Sequence, residues 1–254
     1  MREANVIRVL RSLGGVCILL FLWQILSFSQ IQGAHLLASP LSALRRGFEM
    51  ISHGELNADL LASFKRWLMG FSLAVIIGTP IGLTLGSIRA LHDTFNFTVD
   101  FMRSLPVTAL FPLFLIFFGV GDVALILMSF TATIFLIILN ADYGVRTAPL
   151  TRTRMARSFG ASGWQIFYRI TVMEALPHIL IGMRTSLSLS LIVAVVAEMF
   201  VGVTSGLGQR LFLSYQLQLT TDLFALLLIV GLLGYAANLS LRLLERRFSF
   251  WIYR

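Results

Sequence analysis

Side chains able to do chemistry are few and scattered in this chain of 254 residues. The histidines lie far apart, at His35, His53, His92 and His178. Their spacing matches no metal site, so no metal is predicted. The single lysine, Lys65, follows Phe64 and not glycine, which excludes a phosphate-binding GxxxxGKS/T loop. Since no Ser/His/Asp grouping or paired intramembrane carboxylates appear either, the sequence predicts a non-enzyme that binds no cofactor itself.

One carboxylate, Glu198, falls inside an apolar run. A charged side chain at the centre of a membrane-spanning helix costs about 2.5–3.5 kcal/mol on insertion scales, so it needs a function or a partner. Two interpretations stay open: a gating role, or a structural pair with a nearby arginine or backbone amides. Arg184 in the same predicted helix either offers positive potential to an anion or extends to lipid headgroups. With Arg103 and Pro106, these residues form the predicted translocation path or gate.

The elements that must position these residues are apolar helices. The chain is 57% hydrophobic and 13% charged, with a mean hydropathy of +0.85, whereas soluble domains carry about 25% charged residues. Lipid must therefore be part of its solvent. Segments long and apolar enough to cross a bilayer as helices lie near 12–28, 67–88, 104–121, 123–141, 185–203 and 223–241. The predicted fold class is all-α, a polytopic membrane protein with six transmembrane helices.

The distribution of basic residues predicts the orientation. With six spans, the side that holds both termini carries fifteen basic and six acidic residues, and the other side carries five of each. Both termini are therefore expected in the cytoplasm. The net charge of +8 follows from this topology, so no nucleic-acid partner is predicted.

Two further patterns concern packing. Residues 39–54 predict an external helix, with Ser39 as N-cap, Pro40 at its first position and Gly54 beyond its end. One face of this helix is apolar and carries Leu41, Leu44, Phe48 and Ile51. An apolar face of this kind indicates a helix that lies along the outer membrane interface. In the second span, small residues recur every four positions, at Gly70, Ala74, Gly78, Gly82 and Gly86. Such a stripe permits close helix approach, which favours packing within the chain over a dimer or pore role.

The most informative segment is RTRMARSFGASGWQIFYRITVMEALPHI, residues 152–179. It predicts a short basic helix closed by Gly160 in a left-handed conformation. A second helix follows, opened by a capping box of Ser162 and Gln165, and continues into a span at Pro177. From the residues alone, a force-transmitting helix–turn–helix and a solvated basic loop are equally good interpretations.

This segment resembles the EAA loop of binding-protein-dependent ABC importer permeases, and more narrowly that of the nitrate/sulfonate/taurine type. The resemblance extends over most of the chain, through SPLSALRRGF (39–48), RSLPVTALFPLFLIFFGVGD (103–122), GASGWQIFYRI (160–170), ALPHILIGMRTSL (175–187), VVAEMF (195–200), SGLG (205–208) and LLERR (243–247). It implies a type I ABC importer (MetI-like) permease fold and a coupling loop over 146–177. The residues that would contact the ATPase are Arg154, Ala156, Arg157, Phe159, Gly160, Ala161, Trp164 and Phe167.

The resemblance also implies the partners. These are a second copy of the chain, two cytoplasmic ATP-binding subunits that hold ATP and Mg, an external solute-binding protein and membrane lipid. The expected location is the bacterial inner membrane, and the expected solute is a small anion such as nitrate, a sulfonate or taurine. The chain departs from the family pattern at Arg154, where an acidic residue is usual, and at Met155, where alanine is usual. Contacts made by an acidic residue at position 154 are therefore not carried over.

The predicted domains are an anchor and interfacial region (1–60), a permease core (61–245) and a cytoplasmic tail (246–254). Two competing functions remain to be weighed. A secondary transporter would place several charged groups or broken helices at the midplane of inverted repeats, and no repeat is evident. An intramembrane enzyme would need the catalytic groups that this sequence lacks.

Overall fold

The computed structural model describes residues 2–28 and 37–248, and these residues form helices and no strands. The α-helices are α1 (Arg2–Phe28), α2 (Pro40–Ser52), α3 (Asn57–Ser87), α4 (Arg89–Ser104), α5 (Phe111–Phe118), α6 (Asp122–Arg146), α7 (Leu150–Ser158), α8 (Gly163–Ile166), α9 (Val172–Val201), α10 (Leu207–Gln216) and α11 (Thr220–Phe248). A 3-10 turn covers Val107–Leu110, and a π-helical turn covers Phe167–Thr171. The all-α prediction is confirmed.

Four helices in the described part of the chain are long and apolar enough to cross a membrane: Asn57–Ser87, Asp122–Arg146, Gly163–Val201 and Thr220–Leu243. A fifth candidate is the bent pair Arg89–Ser104 and Val107–Phe118, and Cys17–Phe28 is a shorter apolar helix. Together they are roughly consistent with the six predicted spans. The proposed anchor near 12–28 therefore lies in a helix whose apolar part is short.

The predicted third span, 104–121, covers the 3-10 turn and α5, Val107–Phe118. This segment passes as a candidate span only together with α4, from which it is bent by 83°. Pro106 lacks a backbone N–H and disfavours helical geometry at Leu105, so α4 ends at Ser104. The sequence interpretation also missed α4, because its amphipathic pattern does not register as a hydrophobic span.

Contacts divide the chain into two compact units. Unit 1 comprises residues 1–58 and 210–232, and unit 2 comprises 59–209 and 233–254. In unit 1, the predicted start of α2 is confirmed: Ser39 is the N-cap and accepts a hydrogen bond from Ser42 N at 3.2 Å. The buried face of α2 packs on α11, where a Cβ at Gly47 would lie 3.7 Å from Ala225 Cβ.

Ion pairs reinforce unit 1. Arg46 Nε donates to Asp222 Oδ1 at 2.9 Å, and Arg46 Nη2 donates to Glu55 Oε2 at 3.0 Å. Hydrogen bonding to Asp222, and then to Glu55, raises the pKa of the Arg46 guanidinium above its usual value.

The opposite face of α2 carries the predicted apolar stripe and is exposed, with Leu41 75% and Phe48 74% accessible.

In unit 2, α6 and α9 form the centre of the core. Ala124, Leu125 and Met128 of α6 are buried against Val193 and Ala197 of α9. The glycine stripe of α3 lies on α6 of the same chain. A Cβ at Gly70 would come within 2.7 Å of Ile126 O, and one at Gly86 within 2.7 Å of Asp142 O. Gly78 and Gly82 meet Ile134 and Ile138 in the same way, so the two backbones approach closely because these positions lack side chains.

Candidate functional site

The coupling segment is the part of unit 2 from Leu150 to Ile170. Its first helix, α7, ends in a Schellman motif: Gly160 N donates to Arg157 O at 2.9 Å, and Ala161 N donates to Ala156 O at 3.0 Å. Gly160 has φ +80°, which confirms the left-handed conformation predicted from the sequence. A Cβ at Gly160 would have open space around it, so backbone conformation alone requires glycine here.

The second half of the coupling segment begins with the predicted capping box. Gln165 N donates to Ser162 Oγ at 3.3 Å, and Ser162 N donates to Gln165 Oε1 at 2.9 Å. The short α8 then passes through the π-helical turn directly into α9. The sequence did not predict this turn, because α and π turns share the same local composition. As a result, the coupling segment is joined to a membrane-spanning helix without a flexible linker.

Large apolar side chains of the coupling segment are exposed to solvent. Phe159 is 86% accessible and Trp164 is 72% accessible. The Trp164 ring stacks on Phe167 and Tyr168, with centroids 5.9 Å and 6.3 Å away. Arg154 and Arg157 are also exposed. An exposed apolar patch rimmed by charge is typical of a protein interaction surface.

A cleft of about 520 Å³ lies within this surface. It brings together the predicted residues Ala156, Phe159, Gly160 and Ala161, with Arg169 from the second half of the segment. An Arg152–Glu174 ion pair, which the sequence interpretation missed, joins α7 to α9. Four of the eight predicted coupling residues therefore line one cleft, and the other four lie elsewhere on the same segment.

Glu198 lies at the other end of α9 and is completely buried. Arg66 Nη1 donates to Glu198 Oε1 at 2.9 Å, and Ser63 Oγ donates to Glu198 Oε2 at 2.6 Å. Arg66 Nε also donates to Asp122 Oδ1 at 2.7 Å. Glu198 is therefore paired with an arginine and with polar groups, and along α9 it lies about 39 Å from Val172 at 1.5 Å per residue.

These side chains also bind the backbone at the start of α10. Gly206 N donates to Asp59 Oδ1 at 2.8 Å, Leu207 N to Ser63 Oγ at 2.8 Å, and Gly208 N to Glu198 Oε2 at 3.0 Å. The first N–H groups of a helix lack intrahelical partners, and negative charge is favourable beside them. We call Asp59, Ser63, Arg66, Asp122 and Glu198 the carboxylate clamp; it joins α3, α6, α9 and α10.

Glycine is required at 206, where φ is +140° and a Cβ would lie 2.6 Å from Glu198 Cδ. This contact explains the SGLG motif in physical terms. The sequence interpretation overlooked Asp59, Ser63 and Arg66, although a signal was present. Their spacing of four and three residues continues the glycine stripe of α3 toward its N-terminus.

The other predicted pathway residues lie elsewhere. Arg103 is exposed near the end of α4 and donates to Asp100 at 3.2 Å, while Pro106 lies at the bend that follows α4. Arg184 donates to Glu245 at 3.4 Å. No hydrogen bond or ion pair joins Arg103, Arg184 and Glu198 to one another. Among residues 2–28 and 37–248, no group of His, Cys, Asp or Glu is arranged to hold a metal ion.

Comparison with known proteins identifies a family and several relatives. The family model described as "Binding-protein-dependent transport system inner membrane component" matches residues 74–250. A probable ABC transporter permease protein of Brucella melitensis is 32% identical, over 86% of this chain and 89% of that protein. The taurine transport system permease protein of Escherichia coli is 28% identical, over 96% of this chain and 90% of that protein.

Among solved structures, an inward-facing conformation of a methionine ABC transporter matches with a TM-score of 0.66. It is 19% identical, and the match covers 75% of this chain and 94% of that chain. At this identity the match shows a shared fold, and it confirms the MetI-like architecture expected from the sequence.

Proposed function

Because this chain belongs to the family of binding-protein-dependent transport system inner membrane components, we propose that it forms the membrane path for a small anion of the nitrate, sulfonate or taurine class. The chain is the permease subunit of an ABC importer, and the ATPase of such a system is a separate subunit. Relatives named for taurine, aliphatic sulfonates and nitrate support the solute class.

The coupling segment carries this proposal. Two caps fix its shape, its rings and arginines face solvent, and it continues into α9 without a break. A partner that binds this surface can therefore displace α9 as a body. We assign the partner as the ATP-binding subunit, and the contact residues as Arg154, Ala156, Arg157, Phe159, Gly160, Ala161, Trp164 and Phe167.

The proposed complex contains two copies of this chain, two cytoplasmic ATP-binding subunits that bind ATP and Mg, and an external solute-binding protein. It lies in the bacterial inner membrane with both termini in the cytoplasm, in agreement with the excess of basic residues on that side. The exposed stripe of Leu41, Leu44, Phe48 and Ile51 on α2 suits the outer membrane interface.

The pathway assignments rest on position in the fold. Pro106 lies at the 83° bend, where the backbone can change direction. Arg184 lies on α9 between the coupling segment and Glu198, and Arg103 lines a polar pocket at the end of α4. We assign Glu198 a gating role through the carboxylate clamp rather than direct contact with solute, because it is buried and an anion would be repelled by it.

The test is co-purification followed by activity. The tagged chain, extracted from native membranes in mild detergent, is expected to bring down a subunit that hydrolyses MgATP. Substituting Phe159→Ala together with Trp164→Ala removes exposed rings and should abolish this association. Phe97→Ala is the matched control, since Phe97 is 77% exposed on α4, outside the coupling segment.

If the double variant brings down as much ATPase activity as the wild-type chain does, the coupling assignment is contradicted. Solute uptake in vesicles that persists without ATP would instead support a secondary transporter.

A further inference from the structure

A polar pocket of about 580 Å³ lies between α4 and the end of α6 in unit 2. From α4 it is lined by His92, Asn96, Asp100 and Arg103, which share one helix face because they are spaced by three or four residues. Asn140, Tyr143 and Arg146 are among the residues that line it from α6. Its volume falls within the range of about 300–1,000 Å³ that is usual for small-molecule sites.

The charged side chains that line this pocket have hydrogen-bond partners, with one exception. His92 Nδ1 lies 3.0 Å from Asp142 Oδ1, and Arg103 donates to Asp100 at 3.2 Å. Both acidic groups are thus occupied. Arg146 also lines the pocket, yet it has no hydrogen bond or ion pair within the described residues. The charged side chain of the pocket that is left without a partner is therefore an arginine.

Neutral donors accompany that charge. The Asn96 amide and the Tyr143 hydroxyl make no hydrogen bond within the described residues, although the Tyr143 ring meets His178 edge to face at 5.1 Å. Leu139 and the Tyr143 ring provide apolar surface beside these donors. A guanidinium near amide and hydroxyl donors is the arrangement that recognises an oxyanion, since guanidinium donates two parallel hydrogen bonds to such groups.

The walls of the pocket are held in place. At Gly86, α3 packs so closely on α6 that a Cβ would lie 2.7 Å from Asp142 O. Thr147, the C-cap of α6, donates to Tyr143 O at 2.8 Å. The α6 side of the pocket is therefore formed before any ligand arrives, which lowers the entropy lost on binding.

We propose that this pocket is a low-affinity site for a small oxyanion with a short apolar tail, bound through Arg146, Asn96 and Tyr143. The assignment rests on the proposed function and specifies where the solute binds. Arg146 ends α6, and the coupling segment begins at Leu150. The site therefore lies at the coupling end of unit 2, where an imported solute leaves the path, and weak binding suits release.

The experiment measures binding of ethanesulfonate to the purified complex, without the external binding protein, by ligand-observed NMR titration. Saturable binding in the millimolar range is expected. Arg146→Gln should raise Kd about tenfold or more, because it removes a charge-assisted hydrogen bond. Asn96→Ala should raise Kd about threefold through loss of a neutral one. Asn96 lies on α4, outside the predicted coupling loop (146–177) that begins at Arg146, so this variant keeps the inference testable if Arg146→Gln disturbs assembly.

Arg89→Gln is the matched control, since Arg89 is an exposed arginine of α4 that does not line the pocket. It should leave Kd unchanged, and choline chloride at equal ionic strength should not compete. Absence of saturable binding to the wild-type complex, or equal Kd values for Arg146→Gln, Asn96→Ala and Arg89→Gln, would overturn the inference. Either result can occur while the ATPase still co-purifies, so it is distinguishable from failure of the proposed function.

Discussion

Glu198 and Arg66 form an ion pair in which both side chains are almost completely buried, at 0% and 6% exposed. Removing one partner of such a pair is expensive, typically about 3–5 kcal/mol, because the other charge stays buried and uncompensated. Here the loss should be smaller for Glu198→Gln than for Arg66→Gln, because Arg66 keeps Asp122 and Ser205 O as partners.

A double-mutant cycle on this pair separates stability from gating. Glu198→Gln should preserve assembly of the complex but alter uptake, or the stimulation of ATPase by the loaded binding protein. Arg66→Gln should lower thermal stability more, and combining both substitutions should recover part of it, with a coupling energy of about 0.5–3 kcal/mol. The measurements are thermal melting of the solubilised complex and uptake in reconstituted vesicles. If Glu198→Gln shows wild-type uptake and wild-type stimulation of the ATPase by the loaded binding protein, the clamp is purely structural.

Gly160 offers a second test at single-residue resolution. Its φ of +80° is unfavourable for a β-branched side chain, by about 1–3 kcal/mol, and no atom lies near enough to add a steric clash. Gly160→Val should therefore weaken ATPase docking or uncouple hydrolysis from uptake, with membrane insertion intact. Gly160→Asn is the control, because asparagine tolerates this conformation better. Equal, normal uptake by both variants would remove the coupling role from this turn.

At the scale of elements, the contact between α3 and α6 depends on missing side chains. In Gly70→Leu, the new Cβ would lie only 2.7 Å from Ile126 O. Overpacking of this kind lowers the free energy of unfolding by about 1–3 kcal/mol or more. The variant should lower the melting temperature of the solubilised protein. Gly231→Leu on α11 is the control, since nothing lies within 4 Å of its Cβ position. If both variants have the same melting temperature, the close approach of α3 and α6 is not a source of stability.

Local signals made some elements predictable and left others hidden. The caps at Ser39, Gly160 and Ser162 were predictable, because each depends on residues within five positions of one another. Hydropathy likewise located α3, α6, α9 and α11. The Arg66–Glu198 pair was not predictable, because 132 residues separate its members and only the folded chain brings them together. The bend after α4 was missed although Pro106 marks it, because the amphipathic α4 does not register as part of a hydrophobic span.

At the scale of the whole molecule, the division of labour between subunits is testable directly. The homogeneous chain without partners should hydrolyse no ATP, because its sequence has no phosphate-binding loop. Phosphate release from MgATP is the measurement, with the partner-bound complex as positive control. Turnover by the isolated chain that survives repeated purification would contradict its assignment as a permease subunit.

The π-helical turn at Phe167–Thr171 changes the direction in which the coupling segment points about the axis of α9. A π turn accommodates one residue more than an α turn, and each α-helical residue advances the chain by about 100°. The Trp164 ring on α8 therefore points about 100° away from where an uninterrupted α9 would aim it. A variant of this chain one residue shorter at this turn would present the coupling segment in another direction, while the contacts of α9 with α6 stayed in register. On the proposed coupling role, deletion of one residue from 167–171 should therefore weaken ATPase association while the permease core still folds.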